Sequence, residues 1–213
     1  MYSVFIHIPR TGGFFLKESL GILNLRSPRQ TRNKKIRGKI YKKPHVSFGH
    51  QDYLQLVEHG IVNEEFDRRA FKYTFCRNPF DWVVSAYFCF TTISASHEII
   101  PDNTSFLEFT RMFGDIKVSP GLEASCGKGL WFRPQYERIK GIELGFIGRF
   151  ENLEKDVYRV GDMLGLEVLE KEPLHVTVHL PFHEYYNDES IKNVVEFYRK
   201  DFEFFGYSTK LLA

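Results

Sequence analysis

Short apolar runs alternate with amphipathic segments along this chain, and this alternation predicts an α/β fold. Runs rich in β-branched and aromatic residues are typical of buried strands, and they occur at residues 2–8, 43–50, 71–77 and 144–149. Apolar residues at helical spacing predict helices between and after these runs, from residue 14 onward and at residues 51–58, 79–90, 104–113, 151–164 and 188–205.

The first strand leads into a turn that suits an anion. Pro9 ends the apolar run, and Gly12 and Gly13 allow backbone angles that other residues avoid. A helix starting at Phe14 directs backbone N–H groups and the positive end of its dipole at this turn, and Arg10 adds a forked cation. The segment therefore predicts a cradle for phosphate or sulfate. The alternative is an ordinary strand-to-helix corner, and the nucleotide-binding pattern Gly-x4-Gly-Lys-Ser/Thr is absent.

The strand at residues 71–77 has a similar ending. Arg77 closes the run, Pro79 suits the first turn of a helix, and Ser85 lies two turns into that helix. A guanidinium and a hydroxyl near a helix N-terminus predict a second anion pocket. The alternative is a structural salt bridge of Arg77, with Ser85 as packing.

Composition narrows the class of protein. With 213 residues, 43% of them hydrophobic and 16% aromatic, the chain is expected to fold as one domain over residues 1–213. Its three cysteines are widely spaced, which fits reduced thiols better than disulfides or a zinc site. No apolar run reaches the ~18 residues of a membrane span and no leader precedes the first strand, so we expect a cytoplasmic protein.

Charge is distributed unevenly along the chain. Residues 26–43 hold nine basic residues and no acidic one, although the net charge is only +2. The remainder of the chain is therefore net acidic. A basic loop at about residues 26–43 is a candidate surface for a polyanion, and the alternative is a solvated loop with no partner.

Four segments, in this order, resemble those of sulfotransferases that use 3′-phosphoadenosine-5′-phosphosulfate (PAPS), in their carbohydrate (heparan-type) and bacterial branch. These are Ile8-Pro-Arg-Thr-Gly-Gly13, the segment of residues 76–87 that contains Arg77 and Ser85, and the segments of residues 146–153 and 198–207. The resemblance spans nearly the whole chain. It implies a three-layer, P-loop-like α/β fold with a central, mostly parallel sheet flanked by helices.

The resemblance also implies how a donor nucleotide would be held. The 5′-phosphosulfate would lie on the first turn, and Arg77 with Ser85 would hold the 3′-phosphate. Two positions depart from the family pattern: an arginine stands where a lysine is usual, and a phenylalanine where a threonine or serine is usual. The backbone N–H donors survive both changes, so the residues of the first turn keep this assignment: Arg10, Thr11, Gly12, Gly13 and Phe14.

Sulfuryl transfer needs a cation at the leaving oxygen and a base for the acceptor hydroxyl. Arg10 is the predicted cation at the leaving oxygen. His50 is the predicted base, because it follows the strand of residues 43–50 and imidazole accepts a proton at neutral pH. Its context also resembles the histidine segment of heparan 2-O-sulfotransferases. A histidine that merely ends the strand is the alternative, and Glu58 or Glu64 would then be the base. No metal is expected.

The acceptor is expected to carry a hydroxyl and to be a glycan or another small molecule. The basic segment favours an anionic glycan, and a small alcohol or a tyrosyl side chain stays open. Arg133 and Gln135 lie in an aromatic segment that could line a sugar or adenine pocket, or else belong to the core. His175, His179 and His183 are spaced by four, but no carboxylate or cysteine accompanies them at ligand spacing. A P-loop-like nucleotide kinase and a non-catalytic polyanion-binding module are the alternative functions; no specific nucleic acid is expected.

Overall fold

The computed structural model describes residues 1–25, 44–92, 100–114, 132–170 and 179–211. This part of the chain contains one sheet of five strands in the order β2-β3-β1-β4-β5, and every pair is parallel. The predicted α/β fold with a central parallel sheet is therefore confirmed. The strands are β1 (Ser3–Ile6), β2 (Leu23–Asn24), β3 (His45–Ser47), β4 (Phe71–Cys76) and β5 (Phe146–Arg149). The basic loop of residues 26–43 lies outside the described residues.

Helices flank this sheet. Their bounds are α1 (Gly13–Ser19), α2 (Tyr53–Glu58), α3 (Glu64–Arg69), α4 (Pro79–Thr92), α5 (Phe106–Arg111), α6 (Gln135–Ile139), α7 (Leu153–Leu164), α8 (Asp188–Phe197) and α9 (Arg199–Phe205). Short 3₁₀ helices lie at Met112–Gly114, Phe150–Asn152 and Phe182–Tyr185. Among the described residues, no helix is long and apolar enough to cross a membrane.

Several elements differ from the sequence prediction. Helices α3 (Glu64–Arg69) and α6 (Gln135–Ile139) were not predicted. The helix predicted over residues 188–205 is divided at Tyr198 into α8 and α9. The strand β2 was not predicted, because a two-residue element is too short to produce an alternating pattern.

Alternate residues of β1 face opposite layers. Val4 and Ile6 pack in a cluster with Leu56 of α2, whereas Phe5 packs in another with Leu16 of α1 and residues of α7. Because successive side chains of a strand point to opposite faces, this division places helices on both faces of the sheet. All of these β1 residues are at most 6% exposed, so the strand that carries the first turn is fixed by burial on both faces.

A third cluster is dominated by aromatic side chains and joins α4, α5, α8 and α9. Phe80 packs edge-on against Phe202, and Trp82 packs edge-on against Tyr198, with ring centroids 5.0 and 5.5 Å apart. Such contacts add about 0.5–1.5 kcal/mol each beyond the area that they bury. They hold the N-terminal half of α4, which follows Arg77, against the α8–α9 pair.

The strand order reverses at β1. The chain forms β2 and β3 on one side of β1 and then crosses to form β4 and β5 on the other. In open parallel sheets, ligands bind in the crevice at the carboxyl ends of the strands beside such a reversal. This edge carries His7 after β1, His50 after β3 and Arg77 after β4.

Candidate functional site

The turn after β1 is held by hydrogen bonds to its carbonyl oxygens. Three successive carbonyls, those of residues 8–10, each accept from a side chain: Thr11 Oγ1 at 2.8 Å, Trp82 Nε1 at 2.8 Å and Arg77 Nη1 at 3.1 Å. A carbonyl oxygen is negatively polarised and repels an anion. Engaging all three oxygens inside the protein therefore makes the turn compatible with a bound anion.

The two glycines of this turn are required by their surroundings. Gly12 has φ 77°, a left-handed conformation, and directly precedes α1 without any side-chain cap. A Cβ atom on Gly12 would lie 2.5 Å from Leu153 Cδ2, and one on Gly13 would lie 2.2 Å from His7 Nε2. The predicted sequence of strand, glycine turn and helix is present, and the N-terminus of α1 lies at the sheet edge.

Arg10 occupies a conformation that is uncommon for its residue type. Its φ is 64°, which is in the left-handed region that arginine rarely adopts, at a cost of about 1–2 kcal/mol. Two contacts hold it there: its carbonyl accepts from Arg77, and its Nε donates to Ser85 Oγ at 3.0 Å. Burial and the neighbouring Arg77 both lower the pKa of Arg10. A bound anion between these groups would relieve that unfavourable charge environment.

Arg77 is 7% exposed and has a fixed orientation. Its Nε and Nη2 donate to both oxygens of Asp81, at 2.7 and 2.8 Å, and its guanidinium lies 3.9 Å from the ring centroid of Phe150. The salt bridge considered as an alternative is therefore present. Ser85 contacts Arg10 rather than Arg77, so the structure joins the two predicted anion sites into one cluster.

Gln135 supports Arg77 through its backbone. The amide oxygen of Gln135 accepts from the Arg77 N–H at 2.9 Å, and its amide nitrogen donates to the Arg77 carbonyl at 2.8 Å. Gln135 has no exposed surface. The expected contact of Gln135 with an acceptor is corrected accordingly: the structure places this side chain in the interior, where it completes the hydrogen bonding at the end of β4.

Arg133, the other residue expected at an acceptor pocket, is about one-quarter exposed. Its Nη1 lies 2.7 Å from Asp52 Oδ2 in an ion pair. Asp52 also caps α2 through the Gln55 N–H and is two residues after His50. Arg133 therefore stabilises the segment that carries His50, while part of its side chain remains exposed.

Asp201 of α9 supports the segment that contains Gln135. Its two carboxylate oxygens accept from the N–H groups of Gln135 and Tyr136, both at 2.8 Å, and its side chain is fully buried. Burial raises the pKa of Asp201 to about 7, although the two N–H bonds and the nearby Arg138 act in the opposite direction. The carboxyl group thus connects α9 to Gln135 and, through it, to Arg77.

Asp201→Asn is expected to alter the pH dependence of stability. Because the folded pKa of about 7 lies above the unfolded value of about 3.9, the folded protein binds this proton more tightly than the unfolded chain. The resulting stabilisation is fully present below pH ~4 and is lost as the pH rises through about 7. Urea unfolding at pH 5 and pH 8 should show the wild type losing about 2–3 kcal/mol relative to Asp201→Asn.

Asp162→Asn is the matched control for this measurement, since Asp162 lies exposed on α7. Its stability should follow the wild type at both pH values. Parallel pH curves for the wild type and Asp201→Asn would contradict the prediction.

His50 lies at the predicted edge and is partly exposed. Its ring centroid is 4.3 Å from that of His7, and His7 Nδ1 is 3.2 Å from Lys17 Nζ. Glu58 ends α2 and Glu64 begins α3, and both are exposed. Among the predicted base and its two alternatives, His50 is thus the residue whose ring contacts His7, directly after β1.

Three residues of this region were not predicted from the sequence: His7, Lys17 and Trp82. The rule that selected His50, its position at the carboxyl end of a strand, applies equally to His7 and would have found it. Lys17 lies four residues after Gly13 on α1, which places both on one helix face. Trp82 was noted only for its apolar spacing, and no local pattern indicates that its indole bonds the carbonyl of Pro9.

The cysteines, and the histidines that are spaced by four, lie in the following surroundings. Cys76 and Cys89 are not in disulfides, and burial raises the pKa of Cys76 to about 11. His179 contacts the carbonyl of Leu180, and His183 lies 3.4 Å from Glu184. Within the described ranges, no three His, Cys, Asp or Glu side chains are grouped as a metal site. His175 and Cys126 lie outside those ranges.

Comparison with known proteins identifies one family. Residues 3–208 match the model of the sulfotransferase family. No curated protein matches the chain. Among solved structures, the fold is similar to the crystal structure of mouse sulfotransferase SULT7A1 complexed with PAP, with a TM-score of 0.56 and 15% sequence identity. That similarity covers 95% of this chain and 85% of the mouse chain.

Proposed function

The chain belongs to the sulfotransferase family, and on that basis we propose that it transfers a sulfuryl group from PAPS to the hydroxyl of an acceptor. One observation carries the proposal. The Arg77 guanidinium donates to the Arg10 carbonyl and the Arg10 guanidinium donates to the Ser85 hydroxyl, so the three residues form one hydrogen-bonded cluster beside the glycine turn, at the carboxyl edge of the sheet. Two cations and a hydroxyl at one edge suit a ligand with several phosphate or sulfate groups.

Arg77 and Ser85 are proposed to bind the 3′-phosphate. A guanidinium has five N–H donors, and the contacts of Arg77 with Asp81 and with the Arg10 carbonyl use three of them. Two donors therefore remain for a phosphate, in an orientation that the Asp81 pair and the Gln135 amide already hold. Such preorganisation reduces the entropy lost on binding.

The first turn is proposed to bind the 5′-phosphosulfate through Arg10 and the backbone N–H groups of Thr11, Gly12, Gly13 and Phe14. The Thr11 hydroxyl is committed to the carbonyl of Ile8, so the contribution of Thr11 is its N–H. In the transfer step, the acceptor oxygen bonds to sulfur while the bond from sulfur to the 5′-phosphate oxygen breaks. The electron pair stays on that oxygen, which gives PAP, and Arg10 stabilises the developing charge.

His50 is proposed to take the proton that the acceptor hydroxyl loses. This role suits a partly exposed imidazole at the sheet edge, since a base must reach an incoming substrate. Sulfuryl transfer resembles phosphoryl transfer in needing mainly positioning and charge stabilisation. Arginine and backbone donors supply these without a metal.

A carbohydrate is the proposed acceptor, and an anionic glycan suits the basic residues of the segment 26–43. Transfer of radiolabelled sulfate from PAPS to desulfated heparin, to small alcohols and to tyrosyl peptides would rank the acceptor classes. We also propose a cytoplasmic location, which the absence of a disulfide at Cys76 and Cys89 supports.

Calorimetric titration tests the donor assignment. PAP should bind without Mg²⁺, whereas ATP should bind weakly under the same conditions. A kinase would instead require Mg²⁺ and prefer ATP; its Lys-Ser/Thr pair is replaced here by Phe14 and Phe15. Salt-sensitive binding of heparin without any affinity for PAP would favour the polyanion-binding module and overturn the proposal.

A further inference from the structure

His50 contacts a buried histidine, and that histidine contacts a buried lysine. His7 follows β1 and is 8% exposed, and Lys17 of α1 is 5% exposed. Lys17 Nζ lies 3.2 Å from His7 Nδ1. Lysine is among the residues least often found in an interior unless its charge is compensated, so this placement calls for a reason.

The contact with Lys17 bears on which nitrogen of His7 carries a proton. An ammonium group has three donors and no acceptor, so a charged Lys17 requires Nδ1 of His7 to accept from it. In that arrangement the ring is neutral and its proton is on Nε2. A charged Lys17 therefore favours one of the two neutral forms of His7.

The surroundings of the pair hold the His7 ring in one place. Phe5 stacks on it with centroids 5.2 Å apart, and the absence of a side chain on Gly13 lets Nε2 approach α1 closely. The ring of Phe14 lies 5.1 Å from Lys17 Nζ in a cation–π contact. Phe14 thus helps to keep Lys17 Nζ beside His7.

The ring of His7 also contacts His50, the proposed base. The rings of His7 and His50 are 4.3 Å apart between centroids and inclined at 40°. His50 belongs to a turn after β3 rather than to a helix or a strand, so its ring orientation depends on side chains packed against it. The buried ring of His7 is one such side chain.

We propose that His7 is a positioning residue for His50 and that Lys17 fixes the tautomer and the ring plane of His7. Loss of the Lys17 contact removes the donor to Nδ1 of His7, which then exchanges between its two neutral forms, and the orientation of His50 broadens. The inference rests on the proposed function insofar as it gives His50 the role of base. The arrangement of Lys17 and His7 does not depend on that role.

Two readouts test this proposal. Long-range ¹H–¹⁵N spectra of the wild type should show His7 as the neutral Nε2–H form, and Lys17→Met should convert it to a mixture. Turnover of Lys17→Met should fall about tenfold, with the dissociation constant for PAP unchanged within about twofold and the thermal unfolding transition intact. Lys17→Arg retains a donor and should recover part of the loss.

A double-mutant cycle completes the test. His7→Phe preserves the ring shape but removes the acceptor, and His7→Phe with Lys17→Met should be no slower than His7→Phe alone, because the two residues act as one unit. Additive losses would overturn the proposal, as would an Nδ1–H form of His7 in the wild type. If the wild type shows no turnover, the proposed function fails and the spectra decide the part that does not depend on it: an Nε2–H signal that becomes mixed in Lys17→Met supports selection of the His7 tautomer by Lys17, and an unchanged spectrum overturns it.

Discussion

Arg77→Ala is expected to raise the dissociation constant for PAP by about 100-fold, measured by calorimetric titration. The side chain offers two N–H donors to the phosphate beyond those that bind Asp81 and the Arg10 carbonyl. Its removal deletes a charge-assisted contact in a largely buried site and also frees the carbonyl of Arg10 from its partner. The first turn therefore loses both a cation and a support.

Arg159→Ala is the matched control. Arg159 pairs with Asp156 at 3.2 Å, but its side chain is 59% exposed, so its removal should leave PAP binding unchanged. Thermal unfolding of Arg77→Ala should accompany the titration, because the substitution leaves Asp81 without its partner. A folded Arg77→Ala protein that binds PAP as the wild type does would remove Arg77 from the donor site. Binding of heparin should be affected far less than binding of PAP.

His50→Ala is expected to lower turnover by a factor of about 10² to 10⁴ while the dissociation constant for PAP stays within about twofold. The reason is that the base acts only when the acceptor proton is transferred, whereas the proposed donor site consists of Arg10, Arg77 and the first turn. The rate of sulfate transfer at saturating PAPS, measured beside PAP titration, separates the two effects.

His45→Ala provides the histidine control. His45 begins β3, where its Nδ1 contacts Ser3 Oγ at 2.9 Å, and burial lowers its pKa. Its replacement should leave turnover within about twofold, provided the protein folds. Equal turnover in His50→Ala and the wild type would exclude His50 as the base. Glu58→Gln and Glu64→Gln would then be the next variants to measure.

Local features of the site could be predicted from the sequence. The turn at Gly12 and Gly13 depends on a left-handed conformation that glycine adopts easily, and this property belongs to the residue itself. The spacing between Arg77 and Ser85 is likewise local, since a strand end followed by two helical turns brings both toward one edge. His50 was predicted because the position of a strand's carboxyl end follows from the order of strands and helices.

Contacts between distant segments could not be predicted in this way. Gln135 looked like a pocket residue because it lies in an aromatic segment, yet it bonds the backbone of Arg77, 58 positions earlier. Ser85 was assigned to the 3′-phosphate beside Arg77, yet its hydroxyl accepts from Arg10, 75 positions away. Each contact depends on how layers of the fold pack, and residue spacing carries no information about that packing.

The amino-acid sequence by itself determined the α/β class, the glycine turn and the set of cationic residues at strand ends, because these depend on periodicity and on the conformational range of single residues. Only the tertiary structure decided how these groups are combined: Arg10 with Ser85, and Arg77 with the Arg10 carbonyl and with Gln135. The physical reason is that a side chain's partner is selected by the packing of sheet and helices, in which residues far apart in the chain must satisfy one another's hydrogen bonds.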